Sequence, residues 1–186
     1  MILSLIGYRG TGKSTVGRLL AERLGWSCVD ADERIEQAAG KSIQAIFAEG
    51  GEPAFRDWES RVVAELCQLD KAVLAWGGGA ILRAQNREWI CSAGPVVWLR
   101  ADVATIDQRI HFDPSTQSRR PNLTTAGGRQ EIENILAQRT PLYQQCADFQ
   151  VDTEGMTPPD VSASIYEWWT KNDEPAASSN DDASDF

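Results

Sequence analysis

The chain has 186 residues, of which 42% are hydrophobic and 24% charged, with a formal net charge of −9. That length suits one domain with a substantial core, and the acidic balance argues against a surface that tracks a nucleic-acid backbone. No apolar run approaches the roughly 20 residues that span a bilayer, and no basic leader precedes Ile2, so neither a membrane anchor nor a signal peptide is expected.

The opening MILSLI is a short continuous apolar run ending at a glycine-rich turn, the pattern of a buried parallel strand. Val16, Leu19, Leu20 and Leu24 then recur at helical spacing, which predicts a helix over 13–24 closed by Gly25. WSCVDAD (26–32) reads as a second strand with acidic residues at its carboxyl end. Residues 33–69 read as helix in pieces, broken at Gly40 and Gly50-Gly51. AVLAW (72–76) is a third strand, stopped by Gly77-Gly78-Gly79, and PVVWL (95–99) is a fourth, followed by a helix from about Asp102 to Ile110. Residues 111–128 are polar, contain proline and glycine and show no period, so they read as a functional lid or as disorder.

A helix through Arg139, a short strand DFQVDT (148–153) and a last helix complete the order. Thr157 can cap that last helix and Pro158 suits its first turn. Repeated βα units predict one three-layer α/β/α domain over 1–171, with a five-stranded parallel sheet. Residues 172–186 carry five acidic and no basic side chains and read as a disordered, solvated tail. Without them, 22 acidic residues face 18 basic ones.

Cys28, Cys67, Cys91 and Cys146 are widely spaced with no CxxC, and read as small buried apolar residues in a reducing compartment. Neither zinc nor a disulfide framework is expected from that spacing. His111 is the one histidine, which leaves no second for a metal pair, and no nucleophile motif accompanies it.

Gly7-x-x-x-x-Gly12-Lys13-Ser14 matches the P-loop pattern between a predicted strand and a predicted helix. Its glycines permit positive φ, so backbone N–H groups from Gly10 through Thr15 can close on phosphate oxygens at a helix N-terminus. Lys13 can bridge the β- and γ-phosphates of ATP, and the Ser14 hydroxyl can hold Mg²⁺. The loop says nothing about the acceptor. P-loop enzymes also place an aspartate after an apolar strand, yet AVLAW ends in glycines. Asp30 and Asp32 remain, two apart on an expected strand and so able to face one cleft together. The alternative is a pair of solvated acids that begin a helix.

The surroundings of those acids resemble the shikimate kinases. Asp30, Asp32, Ile35 and Glu36 match the family's Asp-x-Asp-x-x-Ile-Glu; Ile46-Phe47 and Gly51-Glu52-x-x-Phe55-Arg56-x-x-Glu59 follow in order. Gly77–Gly79, Arg120-Pro121, and Arg139 with Pro141 and Tyr143 match three further motifs, so the resemblance spans about residues 2–170. It implies a P-loop kinase fold and transfer of the ATP γ-phosphoryl group to the 3-hydroxyl of shikimate. It also implies a cytoplasmic monomer with Mg²⁺ and no nucleic-acid or membrane partner.

By the same resemblance, Arg56 and Arg139 bind the shikimate carboxylate, and Asp32 acts as base or orienter of the reacting hydroxyl. Asp30 acts beside Mg²⁺ through water, Gly78 and Gly79 offer backbone N–H groups, and Arg120 closes on the phosphates from the lid, the adjacent Arg119 being the alternative that the Arg-Pro match disfavours. Arg109 and Pro158 enclose the adenine. Read without the family, Arg56 is an exposed helix pair with Glu59, and Arg139 a helix C-terminal cation.

Two positions depart from the family pattern. Trp76 stands where a smaller residue is common, and core packing is its expected role; Asn122 replaces an apolar lid residue. The rival readings are a kinase for another hydroxy acid such as gluconate, or a non-catalytic binding relative. A GTPase would need Asn-Lys-x-Asp, which is absent from the sequence.

Overall fold

The computed structural model describes residues 1–112 and 128–173. Five strands, β1 (Ile2–Ile6), β2 (Ser27–Asp30), β3 (Ala72–Ala75), β4 (Val96–Arg100) and β5 (Phe149–Asp152), form one parallel sheet in the order β2-β3-β1-β4-β5. The helices among the described residues are α1 (Lys13–Leu24), α2 (Ala31–Ala39), α3 (Ile43–Leu66), α4 (Ala84–Ala93), α5 (Val103–Phe112), α6 (Gly128–Cys146) and α7 (Pro158–Asp173).

Strand side chains alternate between two apolar layers, which is why the central strands read as unbroken apolar runs. Ile2, Ile6, Leu74, Val96 and Trp98 join Ile35, Ile46, Phe55 and Tyr143 on one face; Leu3, Leu5, Val73, Val97 and Leu99 join Leu20, Val161 and Ile165 on the other. Helices α1 and α7 pack together on that second face. The expected three-layer architecture is present.

Strand β1 lies at the centre, pairing β3 on one side and β4 on the other. Chain direction across the sheet therefore reverses at β1, and a crevice opens at its carboxyl end, where ligands bind in such sheets. The glycine-rich loop leaves β1 into that crevice. Gly7 is obligatory there: its φ is 140°, and a Cβ would sit 2.4 Å from the Leu99 carbonyl oxygen.

Several local readings change. Strand β2 ends at Asp30, so Ala31 and Asp32 belong to α2, and pleat alternation does not relate the two acids. Helix α6 continues past Arg139 to Cys146, which makes that arginine a mid-helix residue. Helix α4, which matches no expected element, occupies 84–93, with only Asn86 and Ile90 buried along it. In α3 the expected break is a kink at Gly51, with φ 65° and ψ −166°, and the part that follows carries Arg56 and Glu59. Helices α5 and α7 extend through His111-Phe112 and Asn172-Asp173. Trp76 is 1% exposed and lies in the first apolar layer, as a packing role requires.

Candidate active site

The phosphate end is built from one continuous segment. Gly12, at φ 92°, caps α1 without a side-chain hydrogen bond, leaving the helix's first N–H groups directed at the crevice. Lys13 is 9% exposed, and its Nζ donates to the Gly7 and Tyr8 carbonyl oxygens, both at 2.8 Å. The ammonium thus bridges the start of the loop and the start of the helix. Thr11 is turned inward, its hydroxyl donating to the Tyr8 carbonyl at 2.8 Å, so only its backbone faces a ligand. Gly10, at φ 80°, fits against Ile106 and Ile110 of α5, and Thr15 is exposed on α1.

The Ser14 hydroxyl donates to Asp30 Oδ2 at 2.5 Å. The other Asp30 oxygen caps α2, accepting from the backbone N–H groups of Asp32 at 2.9 Å and Glu33 at 3.4 Å. Asp30 is therefore oriented from two sides, with one oxygen beside the hydroxyl a P-loop offers to a cation. A hydroxyl and one carboxylate oxygen are hard donors that suit Mg²⁺, which keeps most of its ligands as water and phosphate. Among the described residues no group of three or more His, Cys, Asp or Glu gathers. Asp32 is partly buried in the first turn of α2, one residue beyond its helix-entering neighbour Ala31.

The second end is assembled from distant segments around Gly78-Gly79. Arg139, on α6, donates from Nη1 to the Gly78 carbonyl at 3.1 Å, and the Tyr143 hydroxyl donates to the same oxygen at 2.6 Å. Arg56, on α3, lies against Gly79, where a Cβ would meet Nη1 at 2.4 Å. Two guanidinium groups, 6% and 7% exposed, thus converge on one dipeptide after β3. The Arg56 fork is held by Glu59 Oε2 at 2.6 Å and by Glu52 Oε1 at 2.9–3.1 Å.

That geometry corrects the reading of Arg56 as an exposed pair. The partner Glu59 is 1% exposed, so the ion pair is desolvated and removing one member costs the buried other its contact. Arg139 is likewise no helix-end cation, because seven further residues of α6 follow it.

Arg109 donates to Thr153 Oγ1 at 2.9 Å, the Thr153 carbonyl at 2.8 Å and the Gly10 carbonyl at 3.4 Å. It ties the P-loop to the turn that leads to Pro158, the exposed first residue of α7. Arg120, Pro121 and Asn122 lie outside the described residues.

The structure adds two P-loop residues that the motif leaves unspecified. Tyr8 is 1% exposed, its ring 6.0 Å from the Arg139 guanidinium; burial pushes its phenol above the ordinary value, while Arg9 and Arg139 oppose. Arg9 pairs with Glu131 of α6 at 3.4 Å. The spacing of Glu131, Ile135 and Arg139 at i, i+4, i+8 was the available signal, since it puts all three on one helix face toward the loop.

Comparison with known proteins identifies the family. A family model described as shikimate kinase matches residues 9–170. The chain is 44% identical to the shikimate kinase of Rhodopirellula baltica over 151 residues, 81% of each chain. It is 44% identical to that of Gloeobacter violaceus over 156 residues, 84% of this chain and 85% of the relative. Among solved structures, the Acinetobacter baumannii shikimate kinase in complex with shikimate superposes with a TM-score of 0.87 at 37% identity, covering 94% of this chain and 95% of that one.

Proposed function

This chain belongs to the shikimate kinase family, and on that premise we propose how its own residues divide the work of the reaction. The protein is an enzyme that transfers the γ-phosphoryl group of ATP to the 3-hydroxyl of shikimate, giving 3-phosphoshikimate and ADP in the route to chorismate. The observation that carries the assignment of residues is the convergence of Arg56 and Arg139 on Gly78-Gly79, beside the P-loop.

Shikimate has a single carboxylate, and planar guanidinium groups recognise a carboxylate through paired hydrogen bonds. Arg56 and Arg139 hold it, with Glu59 and Glu52 fixing the Arg56 fork and the Gly79 N–H completing the cradle. Carboxylate binding at one end of a small ring sets where its 3-hydroxyl lies. Asp32 orients that hydroxyl from the first turn of α2 and takes up its proton as the phosphoryl group arrives. Transfer runs through a loose transition state, so this alignment contributes more than proton removal.

At the other end, Lys13 exchanges its two carbonyl partners for the β- and γ-phosphate oxygens, while the N–H groups from Gly10 to Thr15 hold the phosphate chain. Ser14 and, through water, Asp30 would hold Mg²⁺, which would supply positive charge to offset that of the phosphates. Arg109 and Pro158 enclose the adenine. Arg120 closes over the phosphates and excludes water, which competes with the alcohol for the phosphoryl group. The enzyme acts as a cytoplasmic monomer.

The test is ADP release with Mg·ATP and shikimate, against gluconate and no-acceptor controls. Release confined to shikimate is expected. Equal release with gluconate would overturn the carboxylate-and-ring assignment.

A further inference from the structure

Away from the cleft, the fold brings two of the four cysteines together. Cys91 is exposed on the last turn of α4; Cys146, 55 residues later, ends α6 and is 5% exposed. The Cys91 thiol points at the Cys146 carbonyl oxygen at 4.0 Å, which brings the two residues side by side. We propose that Cys91 and Cys146 are a reversible, peroxide-responsive thiol pair whose disulfide staples α4 to the carboxyl end of α6.

The two sulfurs differ in a way that divides the chemistry. Cys91 is open to solvent, so a peroxide can reach it. Cys146 is enclosed; burial first, and the neighbouring Cys91 next, push its thiol up to about 12, so it stays protonated and is not the first sulfur oxidised. In the first step the Cys91 thiolate attacks the O–O bond of a hydroperoxide, forming a sulfenic acid and releasing hydroxide or alkoxide, which takes up the proton the thiol lost. In the second step Cys146 sulfur attacks Cys91 sulfur, the S–O bond breaks, and the departing hydroxide leaves as water with the Cys146 proton. Two thiols are oxidised by two electrons in all, and one peroxide is reduced. A thiol reductant reverses the product by exchange. In a reducing compartment a crosslink of this kind is transient and signal-dependent.

The placement matters because of what α6 carries. Cys146 follows Tyr143 by one turn, and Tyr143 and Arg139 both hold the Gly78 carbonyl. The staple would anchor the far end of the helix that supplies half of the guanidinium pair. It would also close a loop containing β4, α5 and most of α6, which restricts the unfolded chain.

The experiment treats the full-length protein with hydrogen peroxide, blocks remaining thiols in denaturant, and maps peptides. The expected result is a Cys91–Cys146 linked peptide, a fall from four free thiols to two, and full reversal by dithiothreitol, with Cys28 and Cys67 still reduced. Oxidised protein should melt roughly 5–10 °C higher. Cys91→Ser should show neither the linked peptide nor the shift, while its untreated turnover stays within about twofold of wild type. Over-oxidation of Cys91 without a linked peptide, covalent dimers through Cys91, or a linked peptide with lowered melting temperature would each overturn the proposal.

Discussion

The two ends of the catalytic cleft are made in opposite ways. The phosphate end is local: Gly7 to Ser14 form one loop whose lysine is satisfied by carbonyls five and six residues away. The carboxylate end is non-local, because Gly78 accepts from residues 61 and 65 positions later, and Gly79 lies under an arginine from α3. The partners differ as well. Lys13 rests on neutral carbonyls, whereas Arg56 rests on a buried carboxylate. Catalysis and stability therefore separate at the first end and are entangled at the second.

The largest effect tests that separation directly. Lys13→Ala removes the cation from the phosphates and two hydrogen bonds to loop carbonyls, so kcat should fall by roughly 10²–10³-fold or more while a cooperative melt survives. Steady-state kinetics beside calorimetry would show it; a rate near wild type removes Lys13 from the chemistry.

Arg56→Ala should behave oppositely and cost about 3–5 kcal/mol of stability, because the buried Glu59 loses the guanidinium at 2.6 Å. The double variant Arg56→Met with Glu59→Leu should recover most of that stability without recovering shikimate binding. Urea denaturation of the pair is the check, and a loss under about 1 kcal/mol for the single variant would mean the ion pair is not desolvated in solution.

Arg139 sits between these extremes, since the partner shown for it is the Gly78 carbonyl. Arg139→Ala should raise the KM for shikimate roughly 10–100-fold, the worth of about 1.5–3 kcal/mol for a charge-assisted contact. The KM for ATP should stay within about twofold; equal weakening of both substrates would place Arg139 outside the carboxylate site.

Gly79→Ala is the subtlest probe. Its Cβ would lie 2.4 Å from Arg56 Nη1, so the guanidinium has to shift while its pairing with Glu59 resists. A rise of about tenfold in the shikimate KM is expected, from a displacement worth about 1.4 kcal/mol. An unchanged KM would show that the arginine relocates at no cost to recognition.

The same contrast explains what was legible beforehand. Helix α1 and its Gly25 stop occur where spacing put them, since side-chain period and a left-handed cap are properties of consecutive residues. Pleat alternation failed for Asp30 and Asp32 because Asp30 turns its carboxylate onto the next backbone and starts a helix, ending the strand two residues early. That capping choice competes with extension and depends on what the strand packs against. Helix α4 escaped notice because its buried positions are Asn86 and Ile90, too few for a period.

The sequence by itself determined the strand–loop–helix that binds phosphate, the order of the βα units and, through spaced motifs, the family. Each is a pattern among near neighbours or a set of motifs in order along one line. Only the tertiary structure decided that Arg56 is buried with Glu59, that Arg139 and Tyr143 share one carbonyl, that Arg9 meets Glu131, and that Cys91 touches Cys146. Those pairings depend on which helix faces meet once both sides of the sheet are covered, and desolvation then sets how strongly each ion pair couples to stability.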